Sequence, residues 1–150
     1  MLSRLLKITL YGTITSTGAA YLLSRRRSQQ GAPGINCTAH WLYGDDAAKV
    51  QALDLKHSAV GAATNAGAVY FWAWFYNRAL GGKFWSVRGL LATLALGPVS
   101  ALVDYKATPK RFTPGWELVF SKPEMCLIYL AMVLGMSAGA LSGSPESTEQ

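Results

Sequence analysis

The chain has 150 residues, of which 51% are hydrophobic and only 15% charged, with a formal charge of +6 and a mean hydropathy of +0.19. That balance is unusual for a soluble domain of this length. Nor does the positive charge mark a nucleic-acid binder: the basic residues lie at the ends of apolar runs, where they meet lipid headgroups and set orientation, so no nucleic-acid partner is expected.

The first apolar run covers residues 5–23. Arg4 and Lys7 before or within its start, and Gly18, Ala19 and Ala20 near its end, mimic a secretory signal. The triplet Arg25, Arg26 and Arg27 immediately afterwards tends to stay in the cytoplasm, which favours a retained anchor over a cleaved leader. Its hydroxyls Thr9, Thr13, Thr15, Ser16 and Thr17 are compatible with a membrane helix if they bond back to their own backbone.

Residues 28–57 form a long first loop. The opening SQQGAPG, 28–34, lacks apolar periodicity and is rich in turn residues, which predicts a flexible linker. INCTAHWLYG, 35–44, follows with Trp41 and Tyr43, rings suited to the headgroup region. In 45–57, DDAAKVQALDLKH, Ala47, Val50 and Leu53 recur at helical spacing, which predicts a short amphipathic interfacial helix capped by Asp45 or Asp46.

The second run, 58–76, holds Thr64 and Asn65 as its strongly polar residues. It ends in Tyr70, Phe71, Trp72, Trp74, Phe75 and Tyr76, continued by Phe84 and Trp85, an expected aromatic belt at the outer interface. The third run, 85–103, contains Arg88 and Pro98. After it, 104–123 is a basic turn in which Asp104, Lys106, Lys110 and Arg111 surround Pro109 and Pro114, with Gly115, Trp116 and Glu117 beyond. The last run is 125–141.

A helix needs about 20 mostly apolar residues to cross a bilayer core of ~30 Å. The expected fold is therefore all-α: a single polytopic membrane bundle over 1–150 with four transmembrane helices, three as the alternative, plus the short interfacial helix. Small residues recur every fourth position at Gly12, Ser16, Ala20, at Ser58, Ala62, Ala66, at Thr93, Gly97, Ala101, and at Ala131, Gly135, Gly139, Gly143. Such rows let backbones approach closely, within the chain or between copies, and Gly135 with Gly139 is a candidate seam for a homo-oligomer or membrane partner.

With four spans, the first and third loops carry nine Lys and Arg against five for the remaining segments. That places both loops in the cytoplasm and both termini outside. HWLYGDD, His57 and DYKATPKRFTPGWE should then meet on one face.

Two sets of residues on that face could carry function. Lys106, Lys110 and Arg111 with Trp116 as anchor could hold an anionic lipid headgroup. His40, Asp45, Asp46, His57 and Asp104 form a possible polar site, the first four of which an interfacial enzyme or metal site would use. No HxxxH or HExxH pair, CxxC, nucleophile elbow or phosphate-binding glycine loop is present, so no cofactor or metal and no catalytic set is expected. The apolar runs hold no Asp or Glu near mid-membrane, which leaves Asn65 to line a path if the chain transports a small solute.

INCTAHWLYGDD (35–46), His57 and ALVDYKATPKRFTPGWE (101–117) together resemble a group of small multi-pass bacterial membrane proteins of uncharacterised function, in which HWLWGD-like and DYxxxPKRxTPG-like segments precede spans. Cys37, Ala39, Tyr43 and Asp46 depart from the first pattern. The resemblance extends over 35–141; it implies a bacterial inner membrane and carries no activity.

Overall fold

Local signals in the sequence begin the long helices. Ser121-Lys-Pro-Glu124 is a capping box: the Glu124 carboxylate accepts from the Ser121 backbone N–H at 2.8 Å and from its hydroxyl at 2.6 Å. The helix that follows is α6, Lys122–Ser142. Ser86 caps α5, Val87–Leu102, by accepting from Gly89 N–H at 3.0 Å, and a π-type turn carries the helical path on to Ala107. Asp54 precedes α4, His57–Leu80, and accepts from the N–H groups of His57 and Ser58 while its own N–H bonds Ser58 Oγ. α1, Leu2–Ser28, runs straight through the arginine triplet.

The computed structural model describes residues 2–142. Gly143, the last of the small-residue row, and the tail behind it lie outside the described residues. All described regular structure is helical. α1, α4, α5 and α6 alternate in direction, so the 28–57 and 103–121 connections share one end of the bundle with the C-terminus of α1. Lys7 Nζ donates to the Ser142 carbonyl at 2.8 Å at the opposite end, while Arg27 pairs with Glu124 at the loop end, pinning α1 against α6 as an antiparallel pair.

Gly135 and Gly139 of the α6 small-residue row fill a seam inside the chain. A Cβ on Gly135 would lie 2.5 Å from Tyr11 O, and one on Gly139 would lie 2.5 Å from Lys7 O and 2.7 Å from Ile8 Cα. Only glycine admits that approach, so α1 occupies the face of α6 that could otherwise join a partner. α4 completes the core: Val69, Ala73, Tyr76 and Leu80 are buried with Ile8, Ile128, Met132 and Met136.

Two segments, 87–107 and 122–142, are long and apolar enough by composition to cross a membrane. α1 falls short through its hydroxyls and α4 through Asn65 and its indoles and phenols, so the sequence expectation of four spans is met by composition in only two.

The first loop departs from expectation twice. Residues 31–34 are not a flexible linker: they are buried, with α2, Ala32–Asn36, packed on α1 so closely that a Cβ on Gly34 would stand 2.3 Å from Ala20 O. Two further short turns, Cys37–Ala39 and α3, His40–Tyr43, continue this wedge. The expected amphipathic helix over 45–57 is also absent. A 3₁₀ turn, Asp45–Lys49, leads instead into an extended strap. The reason lies outside the segment, because Asn36 Nδ2 donates to the carbonyls of Val50 at 2.9 Å and Ala52 at 3.0 Å. Ser58 Oγ donates to Asn36 Oδ1 at 2.6 Å, so one buried amide ties wedge, strap and α4. Asn36→Ala leaves these carbonyls and Ser58 without their partner and is expected to cost about 1–3 kcal/mol, read as a lower melting point and faster proteolysis within 50–56.

Candidate functional site

The wedge 31–40 presents its buried turn to the 104–121 connection, and three contacts lock the two together. Gly115 has φ +79°, and a Cβ there would lie 2.3 Å from Cys37 O and 2.7 Å from His40 Cδ2. Arg111 Nε donates to Trp41 O at 3.1 Å. His40, only 6% exposed, has Nε2 2.9 Å from Thr113 O. A carbonyl can only accept, so Nε2 carries the hydrogen and Nδ1 faces Asp45 Oδ1, 3.4 Å away. HWLYGDD and DYKATPKRFTPGWE do meet at one end of the bundle.

Two spaces flank this lock. The outer one is a shallow pocket of about 270 Å³ lined by His40, Trp41, Leu42, Gly44, Asp45, Lys110 and Arg111. Its two cationic side chains face a single carboxylate, Asp45. Arg111 uses Nε on Trp41, and its remaining N–H groups have no partner among the described residues. The inner one is a chamber of about 70 Å³ roofed by Phe112, Thr113, Pro114 and Trp116 and walled by Thr38, Thr64, Asn65, Trp72, Asp104 and Tyr129.

The sequence-derived sites divide between these spaces and the surface. Lys110 and Arg111 join His40 and Asp45 in the outer pocket, so members of both expected sets share one site. Lys106 is exposed on the π-type turn and lines neither space. Trp116 is no headgroup anchor: it is 3% exposed, edge-on to Tyr129 with centroids 5.2 Å apart, because the left-handed turn at Gly115 swings it inward. Asp104 is inside the chamber, where Tyr129 OH donates to it at 2.6 Å. Asp46 is exposed and paired with Lys49 at 2.7 Å, a contact that holds its carboxyl below the usual carboxylate range. His57 Nδ1 bonds Asp54 at 2.8 Å, and its ring stands 5.0 Å from Tyr43. That imidazole, then the His57 backbone N–H, holds Asp54 below its ordinary range.

His40, Asp45, Asp46 and His57 thus form separate pairs, and among the described residues no three His, Cys, Asp or Glu side chains converge as metal ligands. Cys37 and Cys126 are free thiols, one buried and one exposed. Burial, and secondarily the Glu117 carboxylate, pushes the Cys37 thiol far up, which keeps it protonated and unreactive.

The chamber was only partly foreseen. Asn65 stood out as polar within an apolar run, but the threonines around it did not. Trp41 Nε1 donates to Thr64 Oγ1 at 2.9 Å, so this ring is tied to α4 in place of free headgroup anchoring. The chain matches no family model, no curated protein and no solved structure.

Proposed function

We propose that the chain is a polytopic membrane protein with a structural or interaction role, crossing the bilayer with α1, α4, α5 and α6 and holding an anionic lipid phosphate in the outer pocket. One observation supports the spans above all: the outward faces of all four helices are apolar. Leu6, Leu10, Ile14 and Leu22 on α1, Phe71, Trp74 and Phe75 on α4, Leu90, Leu91 and Leu94 on α5, and Leu127, Leu130 and Leu134 on α6 are all exposed. Ser16, Ser24, Asn65 and Ser100 are buried and hydrogen-bonded. Large apolar side chains outside, with these four polar residues paired inside, suit lipid and are costly in water. α1 owes its low apolarity to hydroxyls that bond back to the helix, as Thr9 does to Leu5 O and Thr15 to Tyr11 O, both at 2.9 Å.

The same distribution supports a lipid interface at the loop end. Leu53 and Leu55 stand out from the strap, Leu55 at 91% exposure, at the end that carries Arg25 to Arg27, Lys110 and Arg111. The excess of Lys and Arg in the two loops supports a cytoplasmic position for this end, with the termini outside. The resemblance carried by 35–46 and 101–117 favours a bacterial inner membrane as the location.

Lys110 and Arg111 recognise phosphate here by the geometry of the outer pocket. One supplies a point charge, the other N–H groups already oriented by the Trp41 carbonyl. Lys110→Gln with Arg111→Gln removes both and is expected to cost about 2 kcal/mol of anionic-lipid binding, roughly a thirtyfold loss. Native mass spectrometry of protein released from phosphatidylglycerol and phosphatidylcholine mixtures reads this directly. Lys106→Gln should leave retention unchanged, whereas equal retention by the double variant and the wild type would remove the lipid role.

A further inference from the structure

The inner chamber has a composition that the lipid-contact reading does not use. Its hydroxyl and amide hydrogens are already donated to protein. Thr38 Oγ1 lies 2.7 Å from both Ile35 O and Gly61 O, and Thr64 Oγ1 donates to Val60 O at 2.7 Å. Thr113 Oγ1 donates within its own turn, and Tyr129 OH donates to Asp104. Asn65 uses both amide hydrogens on α1, donating to Ser16 Oγ at 3.0 Å and Thr17 Oγ1 at 2.9 Å. Ser16 gives its own hydrogen to Thr13 O, which fixes Asn65 as the donor in that contact. The Asn65 carbonyl oxygen therefore carries no protein partner among the described residues, although the residue is only 7% exposed and borders the chamber.

What the walls offer inward is lone pairs, those of the Asp104 carboxyl among them. Asp104 has no ion pair with a described Lys, Arg or His, unlike Asp46 with Lys49 and Glu124 with Arg27. A carboxylate set among apolar helices without a counter-charge is costly, and the cost falls when a cation joins it. The remaining walls are apolar, Ala68, Val69 and Met132 together with the rings of Trp72, Trp116 and Tyr129, and aromatic rings add an attraction for cations. A volume of about 70 Å³ admits one small ion with a water, because a water takes about 30 Å³.

We propose that this chamber is a binding site for a small monovalent cation, an alkali ion or ammonium, held by Asp104 and the Asn65 carbonyl under the 112–116 roof. Neither Lys110 nor Arg111 takes part, so the site stands or falls separately from the lipid contact. Trp72 and Trp116 border it, and their emission is its natural reporter.

The test titrates purified full-length protein in detergent with sodium, potassium, ammonium or methylammonium at constant ionic strength. N-methylglucamine, too large to enter, is the balancing ion. The expected result is a saturable change in tryptophan emission with at least one small cation, weakened about tenfold or more in Asp104→Asn, which keeps an acceptor for Tyr129. The four arms separate an alkali ion from an ammonium-type ligand. Emission that depends on ionic strength alone, or an Asp104→Asn variant that titrates like the wild type, overturns the site. A second measurement needs no variant: the melting temperature of the wild type in each salt at constant ionic strength. The binding cation should raise it relative to N-methylglucamine, and equal melts in every salt overturn the proposal whatever the variant does.

Discussion

Gly139→Val should melt well below the wild type, with a loss of about 3 kcal/mol, at the upper end of what overpacking costs. The obstacles are backbone atoms: a Cβ at 139 would stand 2.5 Å from Lys7 O and 2.7 Å from Ile8 N and Cα. No rotamer change relieves such contacts, so α6 must move away from α1. That motion also opens the approach of Gly135 to Tyr11 and the packing of Ile8 with Met136, both fully buried. Gly18 and Gly67 are the controls, because nothing lies within 4 Å of a Cβ at either position. Alanine there should be neutral or should add up to about 1 kcal/mol through helix propensity. Circular dichroism melts of the detergent-purified proteins compare the three sites. A Gly139→Val melt matching the wild type would mean that α1 and α6 do not pack as described.

Gly115→Ala should expose Cys37. Alanine at φ +79° carries a left-handed penalty of about 1–2 kcal/mol, and its Cβ would meet the Cys37 carbonyl oxygen at 2.3 Å. The connection can relieve the clash only by lifting from the wedge, which breaks the His40–Thr113 and Arg111–Trp41 bonds and uncovers a thiol that is now fully buried. In a Cys126→Ala background Cys37 is the sole remaining cysteine, and maleimide labelling should accelerate about tenfold or more, the factor for roughly 1.4 kcal/mol of easier opening. A Cys37 that stays protected in Gly115→Ala would mean that the two loops are held together elsewhere. This substitution tests the loop lock alone, whereas Gly139→Val tests the helix seam.

Features that depend on local pattern were legible in the sequence. The four runs correspond to the four long helices, and parity alone placed HWLYGDD and DYKATPKRFTPGWE at one end. Gly135 and Gly139 were recognisable as a close-approach pair, but not that α1 fills it, because the complementary surface is more than a hundred residues away. The strap at 50–56 has helical spacing and is not a helix, since Asn36 takes the carbonyls that a helix would need. Gly31 and Gly34 looked like linker residues because burial against Tyr21 and Ala20 leaves no mark in the segment itself. Trp116 looked like an interface anchor until Tyr129 supplied its partner. One missed signal was local: Ser121-Lys-Pro-Glu124 is a capping box that fixes the start of α6. Of the candidate site, Lys110 with Arg111 and His40 with Asp45 were identifiable by residue type. Their shared pocket, and the chamber joining Asn65 to Asp104, required the fold.

Four spans place the two ends of the chain on the same side of the membrane, and an odd number separates them. A fluorescent protein that matures only in the cytoplasm, fused in separate experiments before Met1 and after Gln150, therefore tests the central claim most directly. Both fusions are expected to be membrane-bound and dark, whereas one bright and one dark would contradict four spans.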